Sequence, residues 1–154
     1  MNEFEEKLKT FIRDNEIHCE HLHFENSCHS VEDAARAAKS NKEDFIKNIC
    51  LIDSKGNIVV AIVKGTNRAS TSRVAKTLNI ERPRIMTPEE ILVKTGYPCG
   101  GVPSFGFQAT FLIDPKVMEE EIVYTSGGSE NSLIRISPQE LQKANKGRIL
   151  RVRK

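Results

Sequence analysis

The sequence predicts an α+β fold with a largely antiparallel or mixed sheet, in one compact domain. Three observations predict it. Helical and strand periodicities intermix along 154 residues without a regular βαβ alternation. No Pro/Gly/Ser linker, internal repeat or low-complexity tract divides the chain. Hydrophobic residues make up 38% and charged ones 29%, the balance of a globular protein long enough to bury a proper core.

The elements follow in order. Phe4, Leu8, Phe11 and Ile12 recur at helical spacing, so residues 3–15 read as an amphipathic helix, with Asn2 and Glu5 as its capping box. A strand follows at 17–24. Ser30 opens a second helix through the alanine-rich EDAARAAKS. FIKNICLID and NIVVAIV are rich in β-branched residues, and SKGN between them is turn chemistry, so they form a hairpin. Ser70 caps a short helix at 71–78. Thr87, Pro88 and Glu90 supply the N-cap, first-turn proline and capping acid of another helix, which Gly96 ends. Strands at 109–113, 121–124 and 132–136 come next. Ser137 caps a last helix, and RILRV is a closing strand.

Composition narrows the function classes. No apolar run approaches a membrane span, and the N-terminal MNEFEEKLKT is acidic and helical, so a cytoplasmic protein without a membrane association is expected. Cys19, Cys28, Cys50 and Cys99 form no C-x-x-C pair and read as reduced thiols. The net charge of +2 is unevenly spread: residues 1–50 carry −4 and residues 51–154 carry +6. Positive charge gathers between Lys55 and Arg84 and in the tail KANKGRILRVRK, which has six basic residues and no acid. Such one-sided charge suits a polyanion such as RNA; a solvated basic face is the alternative.

Several segments carry candidate chemistry. HCEHLHFENSCHS holds His18, His21, His23 and His29 with Cys19 and Cys28; its spacing matches no standard zinc motif, so it reads as a polar strand and loop, with a zinc site organised by His18–His29 as the alternative. No nucleophile elbow or Walker-type phosphate loop is present. Lys47 shares a strand face with Ile49 and Leu51, which either lets it snorkel to water or places an ammonium at a pocket mouth. TGYPCGGVPSFG, residues 95–106, concentrates four of the nine glycines and two prolines, and reads as a loop shaped around an object. Ser126, Gly127 and Gly128 form a second polar loop or a plain hairpin turn.

Taken in order, the strand lysine, the GYPCGG loop and the VYTSGGSENS segment closely resemble the YbaK-type aminoacyl-tRNA deacylases. That family includes the editing domain of bacterial prolyl-tRNA synthetases. The likeness runs over about residues 15–150. It implies a barrel-like mixed sheet surrounded by helices, and a trans-editing hydrolase that needs no cofactor or metal. The substrate would be a small mischarged amino acid on tRNA, of the Cys-tRNA(Pro) or Ala-tRNA(Pro) type. By the same resemblance, Lys47, Gly100, Gly101 and Ser126 are catalytic, with the Gly100 and Gly101 amides lining the pocket. Asn48, Tyr97, Val102, Pro103, Ser104, Phe105, Gly127 and Gly128 would bind substrate, so a Cβ at Gly101 is expected to hurt catalysis and spare the fold. Lys64, Arg68, Arg73, Arg148, Arg151 and Arg153 are expected to follow the tRNA backbone. Prolyl-tRNA synthetase is a second implied partner, and a monomer or weak homodimer the expected state. Relatives often have Thr where this chain has Asn48, proline where it has Ser104, and, in cysteine-specific members, an acid where it has Leu133. Those departures bear on amino-acid choice. They also keep open a non-catalytic tRNA- or nucleotide-binding module of the same fold.

Overall fold

Local caps set the helix starts. In a computed structural model, which describes residues 2–25, 27 and 30–154, five side chains each accept a hydrogen bond from the amide three residues on. Asn2 opens α1 (Glu3–Asp14), Ser30 opens α2 (Val31–Ala38) and Ser70 opens α3 (Thr71–Leu78). Thr87 opens α4 (Pro88–Thr95) with a full capping box through Glu90. After the short α5 (Pro115–Met118), which the sequence pattern does not predict, Ser137 opens α6 (Pro138–Asn145). The capping box expected at Asn2 and Glu5 is only half present. Asn2 caps the helix, but the Glu5 carboxylate turns inward, buried, onto His23 Nδ1 at 2.8 Å and Ser129 Oγ at 2.9 Å. Burial alone would raise its pKa; the bonds from His23 and Ser129 outweigh that and hold it below the ordinary value.

The strands form two sheets. β1 (Glu20–His23), β6 (Val123–Ser126) and β7 (Ser132–Ile136) make an antiparallel sheet in the order β1-β7-β6. The hairpin of β2 (Ile46–Ile52) and β3 (Ile58–Lys64) lies in a second, five-stranded sheet with β4 (Arg84–Ile85), β5 (Thr110–Ile113) and β8 (Arg148–Ile149). Its order is β4-β2-β3-β5-β8. It is mixed, because β5 runs parallel to both β3 and β8. The hairpin is apolar on both faces for a reason. Ile46, Cys50, Ile52, Val60 and Ile62 enter the main core with Leu8, Phe105 and Ile134, while Leu51, Val59, Ala61 and Val63 pack on Val74 of α3 and on Val152.

The barrel-like closure expected from the resemblance is not seen. Among the described residues the sheets meet at one bridge, Phe45 with Tyr124, whose rings stack 4.7 Å apart. β4 covers only Leu51 and Ile52 of β2, because Pro83 precedes it and the α4 cap at Thr87 follows at once. The N-terminal half of β2 keeps an open edge.

Asp114 fastens the other end. Its buried carboxylate caps α5 through the Lys116 amide, and it accepts from the Val152 amide at 3.0 Å, the Arg153 amide at 3.2 Å and the Arg153 guanidinium at 2.8 Å. Burial pushes its pKa up, but these four donors outweigh that and hold it below the ordinary 3.8. A depressed carboxyl stabilises the fold above its unfolded pKa and loses that contribution as pH falls through the folded one. Asp114→Asn is therefore expected to cost about 2–3 kcal/mol at neutral pH and to flatten the acid limb of stability below about pH 4. Urea unfolding followed against pH measures both, and an unchanged midpoint would show that the tail is held by other contacts.

Candidate functional site

Five consecutive residues of β2, Ile46 to Cys50, line a cavity of about 250 Å³. A strand face would contribute alternate residues only, so the cavity lies along the open edge. β6 provides the opposite wall through Tyr124, Thr125 and Ser126, α2 covers it with Val31 and Ala34, and Cys99, Gly100 and Val102 close one end. The pocket occupies the seam between the sheets.

At that edge Lys47 is half-buried and its ammonium, among the described residues, makes no hydrogen bond or ion pair. Burial, and secondarily the charge of Arg68, lower its pKa from the ordinary 10.5. Gly100, with φ of +89°, faces the pocket, and its amide makes no hydrogen bond among the described residues. Ser126, half-buried at the end of β6, has an equally uncommitted hydroxyl. Cys50, in the same wall, is pushed up to about 12 by burial and, less, by Cys99, so it is a poor thiolate.

Asn48 anchors a closed polar ring. Its Nδ2 donates to the Val102 carbonyl at 2.9 Å and to Thr125 Oγ1 at 2.8 Å, while Ser104 Oγ donates to its Oδ1 at 2.7 Å. A carbonyl only accepts, so the nitrogen must face Val102 and the oxygen must face Ser104. Thr125, 2.8 Å from Ser104, then donates to it, and every donor in the ring is used. Asn48 and Ser104, two of the departures expected from the resemblance, thus bond each other and tie β2, β6 and the glycine loop together. Thr125 is the member that sequence reasoning missed; its signal is its place just before Ser126.

The glycines answer to different neighbours. The Gly101 amide donates to the Pro98 carbonyl at 2.9 Å, so it is no pocket donor. A Cβ there would lie 2.7 Å from the Ser129 nitrogen and 2.8 Å from the Gly128 carbonyl carbon. Gly101 is glycine because the second loop presses against it. Gly127 donates to Ser132 and accepts from His21, and Gly128, φ of +103°, backs onto Phe4 and Glu5; both are buried away from the cavity.

Other expected contacts also lie elsewhere. Tyr97 and Phe105 are fully buried core residues. Tyr97 sits between Phe4 and Phe107, with its phenol pushed up to about 12 by burial, and Phe105 stacks on Phe11. Pro103 is buried beside them and does not line the cavity. Of the expected substrate contacts, Asn48 and Val102 line it and Ser104 stands one hydrogen bond behind. Leu133 presents an apolar wall where an acid would stand in cysteine-specific relatives. His21 and His23 serve the Gly127–Glu5 network, while Cys28 and His29 lie outside the described residues. Lys64 is committed to Glu43 at 3.0 Å and Glu120 at 2.7 Å, and Arg153 to Asp114, so both leave the basic face; Arg68, Arg73, Arg148 and Arg151 are exposed.

Comparison with known proteins gives the family and the fold. The model of the aminoacyl-tRNA editing domain matches residues 25–144. The Bacillus subtilis (strain 168) protein YwhH, itself uncharacterised, is 25% identical over 131 residues, which is 84% of this chain and 80% of that protein. Two solved structures share the fold. A protein described as a candidate trans-editing enzyme for prolyl tRNA synthetase superposes with a TM-score of 0.92 at 21% identity, covering 100% of this chain and 99% of its own. The hypothetical protein APE2540 gives 0.88 at 23% identity, with 96% and 99% covered.

The contact between the loops predicts that Gly101→Ala destabilises the fold by about 1–3 kcal/mol as well as disturbing the pocket. A thermal melt reads the first effect. A wild-type midpoint would return the glycine to a role in substrate approach.

Proposed function

The chain belongs to the aminoacyl-tRNA editing domain family, and on that premise we propose that it is a trans-editing deacylase, hydrolysing the ester between a small mischarged amino acid and tRNA. One observation carries the reading. A small cavity at an open strand edge is lined by Lys47, Gly100 and Ser126, whose ammonium, amide and hydroxyl make no hydrogen bond among the described residues.

An aminoacyl ester is already activated, so the protein must orient it and stabilise the developing oxyanion. Water adds to the carbonyl carbon, the carbonyl electron pair moves to oxygen, and its collapse expels the ribose oxygen, which leaves protonated as the free tRNA hydroxyl. The Gly100 amide and the Lys47 ammonium are suited to meet the oxyanion. Such a donor is worth about 3–4 kcal/mol of barrier where water is excluded. Ser126 is suited to hold the amino group or the attacking water. The polar ring keeps the Gly100 loop in place, since its donors are spent on one another. With about 250 Å³ of space and apolar walls from Leu133 and Ala34, the cavity suits alanine or cysteine, and tRNA(Pro) is the carrier that the reading assigns.

Lys47→Met should lower kcat by about 10²–10³-fold without lowering the thermal midpoint, measured on a panel of alanyl-, cysteinyl-, seryl- and prolyl-tRNA. Near wild-type turnover would make Lys47 a structural residue. If wild type binds every charged tRNA and releases no amino acid from any, the chain is a binding module of the same fold.

The ammonium must stay protonated, so activity falls as pH rises through its pKa, and that limb should stand below 10.5. Removing the Arg68 charge removes one cause of the depression. Arg68→Gln is therefore expected to move the alkaline limb of kcat/KM upward. A limb that does not move assigns it to another group.

A further inference from the structure

The chain's ten arginines divide evenly. Arg13, Arg36, Arg84, Arg135 and Arg153 are each paired with a carboxylate. Arg68, Arg73, Arg82, Arg148 and Arg151 make no ion pair among the described residues, and all five come from the 68–82 stretch or the C-terminal tail. These two stretches, far apart in sequence, are joined. The Ser70 amide donates to the Val152 carbonyl at 2.6 Å, the Lys154 amide to the Arg68 carbonyl at 2.8 Å, and Ala69 bridges Arg153. Asp114 makes the junction, because it holds the Val152 and Arg153 amides. A buried anion thus assembles a cationic surface without neutralising it, its own charge being spent on Arg153.

Beside the junction lies a groove of about 520 Å³, lined by Arg73, Lys76, Arg82, Lys154 and the serines Ser70 and Ser72. Among the described residues no Asp or Glu side chain lines it. The cations are exposed, and Arg82 donates to the Thr71 hydroxyl at 2.6 Å, which holds its guanidinium in place. Four cationic side chains that close repel one another unless a polyanion lies between them.

We propose that this groove is a phosphate track for the RNA backbone, leading away from the editing pocket by way of Arg68. Arg68 is the link because its backbone holds Lys154 and its charge reaches Lys47 at the pocket. The proposal rests on the deacylase reading for the identity of the polyanion, and it replaces the expected basic set. Lys64 and Arg153 drop out, and Lys76, Arg82 and Lys154 enter. Hydroxyls from Ser70 and Ser72 among the cations suit phosphate oxygens, and no base-reading group is required.

The test uses the full chain with uncharged tRNA, so binding is read without turnover. Arg73→Gln with Lys76→Gln, and separately Arg82→Gln with Lys154→Gln, are compared with Lys55→Gln, an exposed cation on the turn between β2 and β3. Each pair should weaken affinity on the order of tenfold at low salt. Each should also shallow the slope of log Kd against log salt by about 0.7–0.9 for every phosphate left without its cation, while Lys55→Gln changes neither. Pairs that bind with the wild-type affinity and slope overturn the track. So does wild-type binding to phosphatidylserine vesicles in the absence of any to tRNA, which would make the groove a membrane surface. A protein that binds tRNA through the groove yet hydrolyses no aminoacyl ester would sink the deacylase reading and leave the track standing.

Discussion

β2 has one side paired along its full length, while the other is paired at Leu51 and Ile52 and bonded once more where the Met86 amide donates to the Cys50 carbonyl, and the pocket exists because of that shortfall. An uncovered strand edge carries free backbone donors and acceptors, which proteins usually hide. Here β6 approaches and stops at one bridge, Phe45 with Tyr124, leaving a seam wide enough for a small group and too narrow to close. The edge also explains how Lys47 and Asn48, on opposite faces of the strand, both reach one cavity. A closed barrel would have consumed the edge and separated them.

The seam must be held at a fixed width, and two polar devices do this from different sides. The ring of Asn48, Thr125 and Ser104 spans it, with Thr125 and Ser104 almost wholly buried. In such surroundings a missing partner costs more than the bond itself gains, so the ring is rigid as a unit. Behind the loops, the Glu5 carboxylate fastens β1 and the Ser129 turn to α1. Gly101 and Gly128 then bring the two loops and α1 close enough for no side chain to fit between them. The density of glycine in the first loop therefore reflects protein against protein as much as protein against ligand.

Charge follows the same division of labour. Where cations are structural they are paired, as Lys64 is with Glu43 and Glu120. Arg73, Lys76, Arg82 and Lys154, without an ion pair among the described residues, gather beside the Asp114 junction. The near-neutral total conceals this arrangement, because net charge sums over a surface that the fold has sorted.

Much of the fold is legible in the sequence because its causes are local. The caps at Ser30, Ser70, Thr87 and Ser137 each act within three residues, and all four helices start where those side chains predict. The β2–β3 hairpin is equally short-ranged, and the lysine, glycine-loop and SGG order carries the family assignment. Elements set by context are less visible: β4 has two residues, and α5 begins at an aspartate whose main task is to hold the tail. Only the tertiary structure decides which glycine amide is free, that Tyr97 and Phe105 are core, and that Lys64 is paired. Asn48 and Ser104 stand 56 positions apart and meet at 2.7 Å. No periodicity or spacing encodes such a contact, since it depends on how two sheets approach, and that is settled by packing across the whole chain.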